Sequence, residues 1–176
     1  IKVVHTIHGL AFHKYQKALI NKFYIAIEKA AAKRTDAFIT VADAMTAQTK
    51  AAGIGIDKSF TTAYSAIEED DFLNPPSAED VSGFRQKYNI PTDAIVFITI
   101  ARLFELKGHD YIIESTKQLA KRFENCVCLF VGDGNLSDKI KKQIGDLGLS
   151  DRFRFTGLLP PSEIQLAIHS SDILLH

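Results

Sequence analysis

The sequence predicts an α/β fold with parallel sheets, divided into two units. Short apolar runs typical of strands alternate along the whole chain with longer stretches that carry apolar residues at helical spacing. This alternation favours parallel sheets with right-handed crossovers. The prolines at residues 75 and 76 lack backbone donors and follow an acidic loop, which indicates a boundary. We therefore expect domains at residues 1–73 and 77–176, with residues 74–76 as a linker.

The first half contains three predicted strands and two predicted helices. Leu19, Phe23 and Ile27 recur at helical spacing and predict a helix over residues 14–34. Gly53 stands near the C-cap position of a second helix. The predicted strands cover residues 1–7, 37–41 and 60–64, and the second helix covers residues 43–52.

The second half repeats the alternation more clearly. The continuous apolar run over residues 94–100 predicts a strand that is buried on both faces. Ser77, with Asp80 three residues later, predicts the start of a helix that ends near Tyr88. The remaining predicted strands cover residues 127–131, 153–155 and 173–175, and the remaining helices cover residues 108–123, 135–147 and 161–169.

Charge and cysteine usage exclude some classes of partner. The chain has 21 Lys and Arg against 21 Asp and Glu, so no basic excess favours nucleic acid. Net charge does not report on local patches, so association with a membrane surface stays open. No apolar run is long enough to span a bilayer. Cys126 and Cys128 share one face of a strand and are interpreted as buried apolar residues in a reducing compartment, so we expect a cytoplasmic location.

Ligands of open α/β sheets bind at the carboxyl ends of the strands, which directs attention to the loops that follow strands. Arg102 and Lys107 lie between a strand and a helix, where the helix N-terminus also favours anions. An Arg fork and a mobile Lys charge suit a diphosphate, and two solvated loop cations are the alternative.

Two further loops carry candidate residues. Gly132, Asp133 and Gly134 follow a strand, where glycines let the backbone approach a ligand; a tight strand-to-helix turn explains them equally well. Their place after the second strand of the half counts against an NAD fingerprint. His8 follows the first strand and is a candidate for a cleft residue, although a lone histidine is more often structural. The sequence has no D-x-D, so no metal and no cofactor is expected.

Several motifs together resemble a known family. Those of the second half resemble the C-terminal domain of retaining GT-B glycosyltransferases of family 4: Ala101-Arg102-Leu103 with Lys107-Gly108-His109, Val131-Gly132-Asp133-Gly134, residues 155–160 and residues 171–175. Those of the first half resemble the end of that family's N-terminal domain: residues 6–9, residues 35–41, and residues 64–67 with Phe72. The resemblance implies two Rossmann-like βαβ domains, both incomplete in this chain.

The resemblance also implies roles for matching positions. Arg102 and Lys107 would bind the donor diphosphate, and His8 would lie at the reacting centre. The Gly132-Asp133-Gly134 loop and the backbone near Leu159 would line the nucleotide pocket. The implied function is retaining transfer of a hexosyl unit from a UDP- or GDP-sugar to a sugar, lipid-linked sugar or small molecule. Cell-envelope or exopolysaccharide assembly is the expected setting, in the cytoplasm or at the inner face of the membrane.

The sequence departs from the family pattern at two places. Ala42 stands where the family usually has Ser, and Ala66 stands where it usually has Gly, although Ala tolerates positive φ poorly. The family's first strand with its glycine-rich loop is expected before Ile1, and its E-x7-E segment after His176. We therefore expect a partial chain that is inactive alone. An epimerase-type enzyme of the same shape and a non-catalytic nucleotide-binding fragment are the rival hypotheses.

Overall fold

The computed structural model describes residues 1–66 and 73–176. The chain divides into two compact units, Ile1–Ile67 and Glu68–His176. Both contain a parallel sheet with helices between successive strands, which confirms the α/β class. The acidic loop at residues 68–71 and the motif residues Ile67 and Phe72 lie outside the described residues.

The first unit is a three-stranded parallel sheet in the order β1-β2-β3. Its strands are β1 (Val4–Ile7), β2 (Ala37–Thr40) and β3 (Ser59–Thr62), and its helices are α1 (Ala18–Ala32) and α2 (Asp43–Ala51). Ile7 pairs with Thr40, and Thr40 pairs with Thr62, so the three strands end together at one edge of the sheet. A small core of Ile7, Ala32, Phe38 and Ile54 holds the unit together.

The second unit is a four-stranded parallel sheet in the order β6-β5-β4-β7. Its strands are β4 (Ile95–Ile100), β5 (Cys126–Val131), β6 (Phe153–Gly157) and β7 (Ile173–Leu174). Its helices are α3 (Ala78–Lys87), α4 (His109–Leu119), α5 (Ser137–Asp146) and α6 (Pro161–His169), with 3-10 turns at Glu105–Lys107 and Ser150–Arg152. Every residue of the central strand β5 is buried, because helices cover both faces of the sheet.

Local signals in the sequence explain several boundaries. The Ser77 side chain accepts a hydrogen bond from the Asp80 N–H at 3.1 Å, which confirms the predicted N-cap of α3. Cys126 and Cys128 are buried thiols, as predicted. Burial raises the pKa of Cys128 to about 11, and its sulfur lies 3.0 Å from the Thr116 hydroxyl, so this thiol is a packing residue.

The helix predicted over residues 14–34 is longer than the observed helix α1. Residues 14–17 precede α1, and Asn21 ties the preceding turn to the helix by donating to the His13 carbonyl at 2.8 Å. The side chains of Leu19, Phe23 and Ile27 predicted the helix correctly but face away from the unit and are exposed. Apolar spacing fixes the period of a helix, and it does not fix which side packs on the sheet.

Candidate functional site

The carboxyl edge of the second sheet brings two candidate loops together. Ile100 at the end of β4 pairs with Val131 at the end of β5, so residues 101–108 and residues 132–136 leave the sheet side by side. Such an edge, where loops meet helix N-termini, is the usual ligand site of an open α/β sheet.

Backbone hydrogen bonds tie these two loops to each other. The Leu103 N–H donates to the Asp133 carbonyl at 3.0 Å, and the Leu103 carbonyl accepts the Leu136 N–H at 3.1 Å. The Leu103 side chain is buried in the core beneath the loops. Arg102 is therefore attached to a loop whose backbone is anchored both to its neighbour and to the core.

Gly132 and Gly134 have no room for a side chain. A Cβ on Gly134 would lie 2.4 Å from the Leu103 oxygen, and a Cβ on Gly132 would lie 2.2 Å from the Ala101 oxygen. Gly132 also has a φ of +131°, which side-chain-bearing residues rarely adopt. Backbone atoms of the neighbouring loop fill the space beside both glycines. The lack of a side chain at these two positions therefore allows the two loops to pack closely. This favours the tight-turn explanation of these glycines.

Arg102 and Lys107 are both exposed on this edge. The Arg102 guanidinium lies over the Phe104 ring, 4.9 Å from its centre, in a cation–π contact. Lys107 ends the 3-10 turn immediately before Gly108 and α4. Within residues 1–66 and 73–176, neither cation has an acidic side chain as an ion-pair partner. Two uncompensated cations near a helix N-terminus form an electropositive region that suits an anion.

His109 lies directly beneath the Lys107 turn, and sequence analysis treated it only as part of a motif. Its side chain is 3% exposed and packs edge-on against Phe130, with 5.1 Å between ring centres. Burial lowers the pKa of His109, and the Phe104 carbonyl and Asp110 only partly offset that effect. Neither ring nitrogen has a hydrogen-bond partner of good geometry among the described residues. The signal in the sequence is a histidine at the first position of a helix that follows Lys-Gly.

A third loop joins the glycine loop from the other side. The Gly132 N–H donates to the Gly157 carbonyl at the end of β6, at 2.9 Å. Leu159, two residues further on, packs its side chain against the core, whereas Leu158 is 77% exposed. The Leu159 side chain is therefore turned towards the core, and the exposed side chain of this segment is that of Leu158.

His8 belongs to the first unit. It follows β1, is exposed, and lines a cavity of about 220 Å³ together with Glu28, Thr49 and Ile54. The structure thus brings Arg102 together with the Gly132-Asp133-Gly134 loop and the Leu159 segment in one unit, and places His8 in the other.

Sequence analysis missed a polar cluster at the end of the first sheet. The Asp43 carboxylate accepts hydrogen bonds from the Tyr64 hydroxyl at 2.5 Å and from the Thr62 hydroxyl at 2.6 Å. These bonds lower the pKa of Asp43 and raise the pKa of Tyr64. They join the start of α2 to the segment after β3. Ala42 occupies the N-cap position of α2 and provides no side-chain cap.

In residues 1–66 and 73–176, no group of three or more His, Cys, Asp or Glu side chains is arranged to hold a metal ion. In the same residues, no helix combines the length and the apolar character needed to cross a membrane.

The parallel sheets, with helices between successive strands, define a Rossmann-like α/β protein. Residues 80–176, more than half of the chain, match the family described as glycosyl transferases group 1. The chain belongs to this family.

Several longer proteins are similar to this chain in sequence. A 2-deoxystreptamine glucosyltransferase of Streptomyces kanamyceticus is 28% identical over 151 residues, which are 85% of this chain and 38% of the relative. An uncharacterized glycosyltransferase of Methanocaldococcus jannaschii is 33% identical over 101 residues, 57% of this chain and 24% of the relative. The chain spans less than half the length of these proteins.

Solved structures share the fold at low sequence identity. Anabaena Alr3699/HepE in complex with UDP-glucose has a TM-score of 0.80 at 19% identity, over 99% of this chain and 46% of that one. WaaG, a glycosyltransferase involved in lipopolysaccharide biosynthesis, has a TM-score of 0.75 at 19% identity, over 98% and 49%. The fold is the GT-B type, of which this chain covers part.

Proposed function

We propose that the intact protein transfers a hexosyl unit from a UDP- or GDP-sugar to an acceptor, with retention of anomeric configuration and without a metal ion. Support comes from membership of the family and from the uncompensated cations Arg102 and Lys107 at the carboxyl edge of the second sheet. The observation that carries the proposal is the anchoring of the Arg102 loop to the glycine loop, since it fixes a cation beside a helix N-terminus.

The cations have a chemical task in this reaction. Breaking the glycosidic bond leaves a nucleoside diphosphate, so negative charge grows on the β-phosphate. The planar Arg102 fork, held against Phe104, binds two phosphate oxygens, and Lys107 supplies a second positive charge. Fixed cations of this kind stabilise the transition state and take the place of a divalent ion, which agrees with the absence of D-x-D from the sequence.

The other candidate residues have positioning roles in this proposal. The exposed Asp133 carboxylate accepts the Gly134 N–H at 2.7 Å, which keeps the glycine loop closed next to the nucleotide. Backbone groups near Leu159 line the other side of the nucleotide pocket. His8, which follows β1, is the proposed catalytic residue at the transferred sugar.

The related proteins are named with different nucleotide sugars, so we propose only a broad class of donor and a broad class of acceptor. Alr3699/HepE has been solved with UDP-glucose. A GDP-mannose-dependent phosphatidylinositol monomannoside mannosyltransferase of Mycolicibacterium smegmatis is 25% identical over 107 residues. We propose a UDP- or GDP-hexose donor and an acceptor in cell-envelope or exopolysaccharide assembly.

The test separates transfer from the two rival functions. The intact protein is titrated calorimetrically with UDP and GDP in EDTA, and acceptor-dependent release of nucleoside diphosphate from UDP- and GDP-hexoses is measured. Transfer predicts metal-independent binding and acceptor-dependent release. Interconversion of donor sugars without an acceptor indicates an epimerase, and binding without turnover indicates a non-catalytic protein.

The cations provide the residue-level control. Arg102→Ala and Lys107→Ala should each weaken binding by about 1.5–3 kcal/mol, the range for hydrogen bonds to charged groups. Lys121→Ala is the matched control, because Lys121 is an exposed cation just beyond the other end of α4. Unchanged affinity in both site variants would remove the diphosphate role.

A further inference from the structure

Phe104 connects the two cations at the carboxyl edge of the second sheet. The Arg102 guanidinium lies over its ring, and the Phe104 N–H donates to the Arg102 carbonyl at 2.8 Å. The Phe104 carbonyl accepts the Lys107 N–H at 3.1 Å, which closes the 3-10 turn. A shift of Phe104 would therefore move both positive charges.

His109 lies against this turn from the side of the core. Its side chain is buried, and its ring packs edge-on against Phe130. Packing accounts for an aromatic ring at this position, and it does not account for the ring nitrogens. Both nitrogens are buried, and within residues 1–66 and 73–176 neither has a partner of good geometry. Buried polar atoms of this kind lower stability, so a phenylalanine would serve better if packing were the whole task.

The Phe104 carbonyl is an acceptor for this ring. Burial lowers the pKa of His109, and the Phe104 carbonyl, acting as a hydrogen-bond acceptor, raises it by a smaller amount. Of the charged neighbours, Asp110 raises this pKa and Lys107 lowers it. The ring is therefore neutral at pH 7 and has one N–H to donate. A carbonyl oxygen has two lone pairs, so Phe104 can accept the Lys107 N–H and the ring N–H together.

We propose that His109 is a positioning residue for the nucleoside diphosphate. Its ring donates an N–H to the Phe104 carbonyl and so holds the turn that presents Arg102 and Lys107. The observed contact between ring and carbonyl falls short of good hydrogen-bond geometry. Such contacts in functional sites often tighten when the ligand binds, so we expect the nucleotide to shorten it. This inference rests on the proposed function for the identity of the ligand.

The first test measures calorimetric UDP and GDP affinity of the intact protein. His109→Phe keeps an aromatic ring but has no N–H donor, so the turn is in place less often and the apparent affinity falls with that fraction. We expect a loss of about two- to tenfold, the equivalent of one neutral hydrogen bond. His109→Asn and His109→Gln keep an amide donor near one ring nitrogen or the other, and at least one of them should restore affinity to within about twofold.

The second test follows amide hydrogen exchange by NMR without nucleotide. In His109→Phe the Lys107 amide should exchange faster, because the Phe104 carbonyl that accepts it is held less firmly. The Tyr111 amide, which is bonded within the first turn of α4, should keep its exchange rate. Faster exchange at Lys107 alone would therefore indicate a local loss of anchoring and not a general loss of stability.

Thr99→Val is the matched control. In the described part of the chain the Thr99 hydroxyl is also buried without a partner, and Thr99 pairs with Phe130 on the neighbouring strand. Thr99→Val removes this hydroxyl with little change of shape, so it should alter neither nucleotide affinity nor exchange of the Lys107 amide.

The outcomes separate this proposal from the proposed function. Unchanged affinity or unchanged Lys107 exchange in His109→Phe would overturn it. A loss of affinity that neither amide variant restores, or that Thr99→Val reproduces, would assign His109 to packing and would overturn it too. If the parent protein binds neither UDP nor GDP, the proposed function fails, and the exchange result still decides whether His109 holds the turn.

Discussion

Substitution of Gly134 by Ala tests whether the contact between the two loops positions the diphosphate site. The added Cβ would lie 2.4 Å from the Leu103 oxygen and 2.8 Å from the Leu103 nitrogen. Both are backbone atoms, which cannot rotate away. Ordinary contacts begin at 3.4 Å, so the loops must separate by about 1 Å. Gly134 does not have positive φ, so the effect is steric alone.

The separation has two measurable costs. It stretches the Leu103–Asp133 and Leu136–Leu103 hydrogen bonds, each worth about 0.5–1.5 kcal/mol, so the free energy of unfolding should fall by roughly 1–3 kcal/mol. It also shifts Arg102, and loss of one charged hydrogen bond, about 1.5 kcal/mol, weakens UDP or GDP affinity about tenfold.

The assay is urea denaturation and calorimetric nucleotide titration of the intact protein. Gly145→Ala is the matched control, because Gly145 lies in α5 and its Cβ would meet nothing within 4 Å. That control should be neutral or more stable by about 0.5–1 kcal/mol, as expected for Gly to Ala in a helix. Wild-type affinity in Gly134→Ala would refute the proposed link between the glycine loop and the diphosphate site.

Four further predictions concern other parts of the chain. Arg102→Lys should weaken UDP or GDP binding in calorimetry, because the charge remains but the fork is lost. Ala42→Ser should raise the free energy of unfolding in urea by about 1 kcal/mol, because the N-cap position of α2 has the extended backbone that a Ser cap requires. The free energy of unfolding should decrease as pH falls below about 6.5, because the unfolded chain protonates His109 before the folded chain does; His109→Phe should reduce that slope. The 176-residue chain alone should release no nucleoside diphosphate from donor sugars, because it spans less than half the length of the glycosyltransferases it matches.

Each of these predictions has a result that would contradict it. An affinity of Arg102→Lys equal to wild type would mean that charge alone matters. Equal stability of Ala42→Ser and the parent would exclude a missing cap. An unchanged slope in His109→Phe would contradict the buried neutral imidazole. Robust turnover by the 176-residue chain would show that no further segment is needed.

The sequence by itself determined the order of strands and helices. It also indicated which loops carry the candidate binding residues. Strand runs such as residues 94–100 are apolar because helices cover both faces of the sheet, so composition and position predict them. The Ser77 cap could be predicted because its hydrogen bond spans three residues. Arg102 and Lys107 could be proposed as candidates because parallel strands place the loops that follow them at one edge of the sheet.

Only the tertiary structure decided relations between residues distant in sequence. The contact of Gly134 with Leu103 depends on the packing of two loops, so sequence could equally explain that glycine by ligand approach. The Asp43–Tyr64 bond joins residues 21 positions apart, and no local pattern indicates it. The outward direction of Phe23 likewise required the sheet, since helical periodicity is the same whichever side of a helix packs.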